Sequence, residues 1–254
     1  MWRKPLLFCA LLIVSLLIQA PATVWDSLLQ RATNGQLALL DAEGSVWHGQ
    51  ARVSVRDAAS GARLPVTPLS WQWLPIDILR GRIGWSFSVA GLPPFKLAAS
   101  PFGFSANNVA IQLPVREVLD QIPNPVARSG WHGDLSFNAD HWNCNWRARC
   151  EGHAELFWRG AASDLFPNRA FGNYRLVVEA SADNTSLKLD TLSGEVRLTA
   201  NGQISPQGVA QLQGSVEGEP AFVGRLPDVA NRWVKRTSDP GRILFNFDSS
   251  TASR

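Results

Sequence analysis

Tyrosine, methionine and charge are scarce in this sequence. The 254 residues include one Tyr, one Met, three Cys and four His, and only 18% of them are charged, whereas Trp occurs eleven times. Without Arg3 and Lys4 at the N-terminus, 22 of the 24 basic residues remain to balance 21 acidic ones. This near balance leaves no basic excess for binding nucleic acid. Apolar residues make up 45% of the chain, which is enough for a packed core.

The sequence also lacks the motifs of common catalytic sites. It contains no G-x-S-x-G, no H-E-x-x-H, no Walker loop and no G-x-G-x-x-G before a helix. The two-residue spacing of His132 and Asp134 places them on one face of a predicted strand, as a candidate base and its orienting carboxylate. A solvated strand face explains the pair better, because no nucleophile motif converges on it. We therefore expect no enzymatic activity and no cofactor.

The first 24 residues are typical of an export segment. Arg3 and Lys4 precede an uncharged, mainly apolar stretch, and basic residues stay on the cytoplasmic side of such a segment. Two interpretations remain open: residues 5–24 are long enough to span a bilayer as an anchor, and Ala20-Pro21-Ala22 fits the small-x-small pattern of a cleavage site. The predicted organisation is a cytoplasmic segment at 1–4, a transmembrane anchor at 5–24, a periplasmic β-rich domain at 25–248 and a flexible tail at 249–254.

Two cysteines, Cys144 and Cys150, lie in the part predicted to be exported. An even number of cysteines in an oxidising compartment predicts a disulfide. Closing so short a loop is expected to stabilise the fold by roughly 2–3 kcal/mol. The alternative is a metal site that adds His141 and His153 to the two thiols, but the C-x5-C spacing and the lack of a second Cys pair disfavour it.

Alternating apolar and polar residues predict strands over most of the chain. Clear runs occur around Trp71 and Trp73 and around Ile83, Trp85 and Phe87, with Gly, Pro and Asn between the runs. We therefore expect a mostly β, antiparallel domain, curled or partly closed, since a free sheet edge would pair with another chain. Helices are predicted at Thr23–Ala32, as a continuation of the membrane segment, and at 115–122 and 227–233, with a first strand at 36–41.

The many tryptophans have two interpretations. Trp47, Trp71, Trp73, Trp85 and Trp158 all lie in strand-like alternation. Such residues fill cores or cover sheet faces, or they form an aromatic strip that contacts carbohydrate or lipid.

Several short motifs, taken in order, resemble the type II secretion system protein N family. GSVWHGQA at 44–51 is similar to that family's G-t-v/l-W-x-G-x-a segment. LSWQW at 69–73, followed by LRGRI at 79–83, is similar to its l-x-W-x-l … l-l-x-G-r-l pattern, and CEGHAELFW at 150–158 is similar to its Cys-containing strand that ends in Trp. The matching residues are Gly44, Trp47, Gly49, Trp71, Trp73, Gly81, Gly152 and Trp158.

The resemblance implies a single-pass inner-membrane protein of a Gram-negative bacterium, with a cytoplasmic N-terminus and a large periplasmic β domain. The implied role is accessory, in exporting folded exoproteins across the outer membrane through contacts with the inner-membrane platform or the outer-membrane channel. The family supplies no catalytic residues, so the matching glycines and tryptophans are expected to determine the fold. The alternative is a membrane-anchored periplasmic β domain that binds or transfers lipid, with acyl chains held against an apolar sheet face.

Overall fold

The computed structural model describes residues 15, 18–56, 63–119, 130–147, 149–164, 166, 169–223 and 234–249. The chain divides into two compact units, Met1–Pro101 and Phe102–Arg254. Each is built almost entirely from antiparallel strands. The prediction of a mostly β, antiparallel fold is therefore confirmed.

The first unit is a small sheet with one helix. Its elements are α1 (Thr23–Ala32), β1 (Leu37–Gly44), β2 (His48–Arg56), β3 (Arg63–Leu74), a 3-10 helix (Pro75–Arg80), β4 (Ile83–Val89) and β5 (Phe95–Ser100). The five strands lie side by side in chain order. Trp71 lies opposite Gly49 on one side and Phe87 on the other, so these residues share a face. That face forms the core with Ala22, Leu39, Ala51 and half-buried Trp25 and Leu29.

Helix α1 also covers the outer edge of β1. Side chains of the helix and of the residue after it accept hydrogen bonds from two edge amides: Leu39 N–H donates to Asp26 Oδ1 at 2.8 Å, and Leu37 N–H donates to Thr33 Oγ1 at 3.1 Å. Edge strands with unpaired amides attract foreign strands. Because these two amides are already bonded, β1 is a poor site for strand addition.

The second unit contains longer strands. Its elements are β6 (Gly103–Pro114), α2 (Val115–Leu119), β7 (Trp131–Asn145), β8 (Cys150–Ser163), β9 (Ala170–Ser181), β10 (Asn184–Gly194), β11 (Arg197–Ile204), β12 (Ala210–Glu217), α3 (Pro220–Val223), β13 (Val234–Arg236) and β14 (Arg242–Asp248). The strands follow chain order up to β12, and β14 then lies between β12 and β13. Its core contains Ala161, Phe171, Tyr174, Val196, Val223 and Ile243.

The observed helices match the predicted ones in part. Helix α1 has the predicted bounds, but it does not continue from a preceding helix, because Gln19 is in a turn and Pro21 pairs with Ser45 as a β-bridge. The first strand begins at Leu37 and extends to Gly44. Helix α2 spans Val115–Leu119 within the predicted 115–122, and the helix predicted at 227–233 lies outside the described residues.

Two other predictions, the curled or partly closed sheet and the transmembrane anchor, are not confirmed by the described residues. Among the described strands, the pairings of neither unit return from the last strand to the first, so the sheet is not closed, and the curled or partly closed shape stays a prediction. No helix in the described part of the chain has both the length and the apolar character needed to cross a bilayer. Most of the predicted anchor, all of segment 1–4 and most of the tail from 249 lie outside the described residues.

Candidate functional site

The candidate site is the turn between β1 and β2, where five of the motif residues meet: Gly44, Trp47, Gly49, Trp71 and Trp73. Gly44 has φ of +95°, and a Cβ there would lie 2.5 Å from the carbonyl oxygen of His48. Only glycine fits this backbone, because the left-handed region is strained for other residues and there is no space for a side chain. Ser45 Oγ then accepts hydrogen bonds from the amides of Trp47 and His48, at 3.2 and 3.3 Å.

Three indole N–H groups converge on this turn. Trp71 Nε1 donates to the Ser45 carbonyl at 2.9 Å. Trp85 Nε1 and Trp25 Nε1 both donate to the Val46 carbonyl, at 3.0 and 3.1 Å. A buried indole needs a partner for its N–H, and here the partners are main-chain carbonyls of a turn, at the half-buried residues Ser45 and Val46. The three rings therefore fasten the turn to β3, β4 and α1 at once.

Ring packing completes the cluster. Trp47 contacts Trp73 edge to face at 5.3 Å between centroids and stacks on Trp85 at 6.2 Å. Trp25 meets Trp85 edge to face at 5.2 Å. Gly49 lies beneath Trp71, since a Cβ at that position would come within 2.6 Å of the ring. These ring contacts fit the interpretation of the tryptophans as core residues. The best-buried of them is Trp71, which is 3% exposed.

The N-terminal segment joins the domain at the same turn. The amide of Val46 donates to the carbonyl of Ala20 at 2.9 Å, and the amide of Ala22 donates to the carbonyl of Gly44 at 3.2 Å. Pro21 lies between them, paired with Ser45. The tryptophan cluster thus holds the position at which the chain leaves the predicted membrane segment and enters the fold.

Gly81 lies in a second turn, which is near the same end of β3 as the β1–β2 turn. It ends the 3-10 helix Pro75–Arg80 in the left-handed conformation, with φ of +69°, and its amide donates to the carbonyl of Ile78 at 2.8 Å. No atom lies within 4 Å of a Cβ placed there, so Gly81 is needed for its backbone angle rather than for space.

In the second unit, Cys144 and Cys150 form a disulfide. They are directly opposite each other in the β7–β8 pairing, and Asn145 Oδ1 closes the turn between them by accepting from the amides of Arg147 and Arg149. The predicted disulfide is thus present. Because both sulfurs are bonded to each other, neither is a metal ligand, which removes the Cys2His2 alternative with His141 and His153.

Gly152 and Trp158 hold β8 against β7 at different points. A Cβ on Gly152 would lie 2.9 Å from the Trp142 ring on β7, so glycine lets that ring lie over the strand. Trp158 Nε1 donates to the carbonyl of His132 at 3.0 Å, and its ring packs against Trp131 and Tyr174. Both residues thus contribute to the packing of β8 on β7.

His132 has a different partner from the one that its sequence spacing suggests. Its Nε2 lies 2.6 Å from Asp164 Oδ1 and not at Asp134. The hydrogen bond from His132 is the main cause that lowers the pKa of Asp164. Both side chains are largely exposed, at 44% and 63%. The sequence missed Asp164 because it lies 32 residues away and meets His132 only through the β7–β8 pairing.

Tyr174, the one tyrosine, is buried beside Trp158. Its hydroxyl donates to the carbonyl of Val196 at 3.0 Å. Burial raises the pKa of Tyr174 to about 12, so the phenol stays neutral and acts as a donor within the core. Tyr174 thus resembles Trp25, Trp71, Trp85 and Trp158, whose indole N–H groups also donate to main-chain carbonyls, whereas the buried Nε1 of Trp73 has no hydrogen-bond partner in the described part of the chain.

The family model for "Type II secretion system (T2SS), protein N" matches residues 35–231, well over half of the chain. The chain belongs to the type II secretion system protein N family. No curated protein and no solved structure matches it.

Family membership assigns the chain an accessory role in type II secretion, and it indicates a membrane-associated location and interaction with other components of the secretion system. The matched range includes the turn at 44–49, both ends of the 3-10 helix, and Cys144 and Cys150. It begins after α1, so the helix that covers the β1 edge lies outside the match.

Proposed function

We propose that this protein is a non-enzymatic accessory component of type II secretion that is anchored in the inner membrane. Its periplasmic domain binds other components, either of the inner-membrane platform or of the outer-membrane channel, while folded exoproteins are exported. The observation that carries the proposal is the family match over residues 35–231. The motif residues support a scaffold role, because each of them packs a strand or shapes a turn.

The experiment is a secretion assay combined with a pull-down. The gene is deleted from its native bacterium, and the full chain with a C-terminal tag is returned on a plasmid. We expect exoproteins to accumulate in the periplasm of the deletion strain and to reach the medium again after complementation. The tagged chain, extracted in a mild detergent, should bring platform or channel proteins with it.

A matched pair of variants separates a specific role from a general one. Trp71→Ala removes the buried anchor of the β1–β2 turn, whereas Trp146→Ala removes a side chain that is 62% exposed in the second unit. Loss of secretion and of co-purified components with the first variant only would support a role that needs the folded domain. Normal export in the deletion strain, with no secretion component recovered, would refute the proposal.

The second candidate function is lipid binding, and one surface of the second unit favours it. Leu156 on β8 lies opposite Phe137 on β7 and Leu176 on β9, and the row continues to Ile111 on β6 and Leu189 on β10. Registered neighbours share a sheet face, so the row is a continuous apolar strip. Its members are half-buried or exposed, and Ile111 is 41% exposed. Such a strip suits an acyl chain.

Neighbouring residues on one strand give this candidate a controlled test. Leu156→Gln places an amide in the strip, and Phe157→Gln places the same group on the opposite face of β8. The full chain is purified in detergent, and co-purified phospholipid is measured by mass spectrometry. Less lipid with Leu156→Gln than with Phe157→Gln would support lipid binding at the strip. Equal lipid in both variants would argue against it.

A further inference from the structure

Residues 75–83, which comprise the 3-10 helix after β3 and the residues up to the first position of β4, present several large apolar side chains to solvent. Ile76 is 60% exposed, Ile78 53%, Leu79 82% and Ile83 43%. Single exposed apolar residues are common, but a group of four within eight residues marks a surface that contacts something. The core of the first unit does not use these four side chains.

The local backbone conformation keeps these apolar side chains exposed. Asp77 points inward and is buried, and its main-chain carbonyl accepts a hydrogen bond from the Arg82 amide at 3.0 Å. Its carboxylate lies against Gly84, where a Cβ would collide with it. With Asp77 held inside and Gly81 ending the 3-10 helix, the neighbouring isoleucines and Leu79 are turned outward.

The segment lies at the end of the sheet where the N-terminal segment joins the domain. The amide of Trp73, two residues before Pro75, donates to the carbonyl of Trp47 at 2.6 Å. Trp47 belongs to the β1–β2 turn, which pairs with Pro21 through Ser45. The predicted membrane segment therefore ends beside the same strand ends from which residues 75–83 project.

The charge around the segment is positive. Arg80 Nη1 and Arg82 Nη2 lie 3.7 and 3.8 Å from the single carboxylate of Asp77, so two guanidinium groups share one acid. The Arg80 side chain is 66% exposed. Apolar side chains beside exposed arginines are the composition of segments that lie in a membrane interface, where the cation meets lipid phosphate.

From these observations we infer that residues 75–83 form a second membrane contact, separate from the N-terminal anchor. Ile76, Ile78 and Leu79 enter the headgroup region of the bilayer, and Arg80 binds the phosphate of an anionic phospholipid. The occupant is the membrane surface, because the chain leads directly into the predicted anchor at this end. The contact would hold the first unit against the bilayer, and it goes beyond the proposed interaction with secretion components.

The test measures the depth of single labelled positions in the full chain. Cys9 is replaced by Ser, and a fluorescent label is placed at Leu79→Cys or, as a matched control, at Ala90→Cys at the other end of β4. Ala90 is exposed and follows the last residue of that strand. Each protein is reconstituted in vesicles of phosphatidylethanolamine and phosphatidylglycerol, and quenching by iodide and by headgroup-labelled lipid is recorded.

We expect iodide to quench the label at position 79 about threefold less than the label at position 90, with lipid-borne quencher showing the reverse order. A label at 79 that iodide reaches as readily as the label at 90 would overturn the inference. Shielding of the label at 79 in native membranes but not in the vesicles of purified lipid would also overturn it, because the segment would then dock on another protein. These vesicles contain no secretion component, so the result is independent of the proposed function.

A second variant tests the role of the arginine without disturbing the core. Arg80→Gln keeps Arg82 in contact with Asp77 and removes only the more exposed cation. Binding of anionic lipid at the segment should fall about fivefold, measured as quenching of the label at 79 by headgroup-labelled phosphatidylglycerol at increasing mole fraction. An unchanged dependence on phosphatidylglycerol would contradict the part assigned to Arg80.

Discussion

The two units bury their apolar faces in different ways. In the first unit, α1 covers the sheet, and three indole donors tie α1, β3 and β4 to one turn. In the second, Cys144 and Cys150 join neighbouring strands at one end, and the strip through Leu156 stays half-buried. The stability of the first unit therefore depends on a few aromatic residues, whereas the second unit carries a half-buried apolar strip that crosses β6 to β10 and ends at Leu189, which packs against the core.

The largest expected effect is the loss of the central indole of the first unit. Trp71→Ala removes a ring that is 3% exposed and leaves a cavity, so it should lower the free energy of unfolding by about 3–5 kcal/mol. Urea unfolding of the full chain in detergent, followed by tryptophan fluorescence, measures the change. Trp146→Ala is the control and should change it by less than about 0.5 kcal/mol. Similar losses of unfolding free energy in both variants would contradict the proposed difference between the two units.

Two glycines of the first unit should differ in a predictable way. Gly44→Ala meets both a left-handed backbone and a collision with His48, and should cost about 2–4 kcal/mol. Gly81→Ala meets only the backbone strain, since its surroundings are open, and should cost about 1 kcal/mol. Equal midpoints in urea for the two variants would show that the close approach at Gly44 is unimportant.

Removal of the disulfide should affect the second unit alone. The double variant Cys144→Ser, Cys150→Ser frees the β7–β8 hairpin and should cost roughly 2–3 kcal/mol. Hydrogen exchange should accelerate in β7 and β8 and stay unchanged in β1 to β5. Faster exchange in the first unit as well would mean that the units do not unfold separately. A count of free thiols in the denatured, non-reduced wild type provides the reference.

The smallest effect concerns the exposed pair His132 and Asp164. Because the hydrogen bond lowers the folded-state pKa of Asp164, its contribution is present above the ordinary Asp value of about 4 and disappears as the pH falls through the lowered pKa. The thermal stabilities of wild type and His132→Ala should therefore differ slightly at pH 5 and converge towards pH 2. A difference that grows on acidification would contradict this assignment.

The strands and α1 were predictable because they depend on local pattern. Alternation placed Trp71 and Trp73 on one face, and the spacing of apolar residues placed the helix at Thr23–Ala32. The continuation of α1 from the membrane segment was wrong, because Pro21 pairs with Ser45, a partner that the helical pattern does not reveal. The pairing of His132 with Asp164 was likewise not predictable from local pattern, because the two residues lie far apart in the sequence.

The candidate site was predictable in its residues but not in its bonds. The motif named Gly44, Trp47, Gly49 and Trp71, which all meet at one turn. The convergence of indole donors on Ser45 and Val46 was not predictable, since carbonyl directions depend on how three separate elements pack. The 3-10 helix had a local signal, with Pro75 at its start and Gly81 after its end, that the alternation of the flanking strands hid.

The joining of Ala20, Pro21 and Ala22 to the β1–β2 turn has a consequence for the order of events during export. Ala22 is 2% exposed, and the first and last residues of the predicted cleavage motif, Ala20 and Ala22, are hydrogen-bonded to the β1–β2 turn. A peptidase must hold its substrate as an extended, accessible strand. We therefore expect folding of the first unit to compete with proteolysis at the predicted cleavage motif, so that a chain that folds first would keep its N-terminal segment.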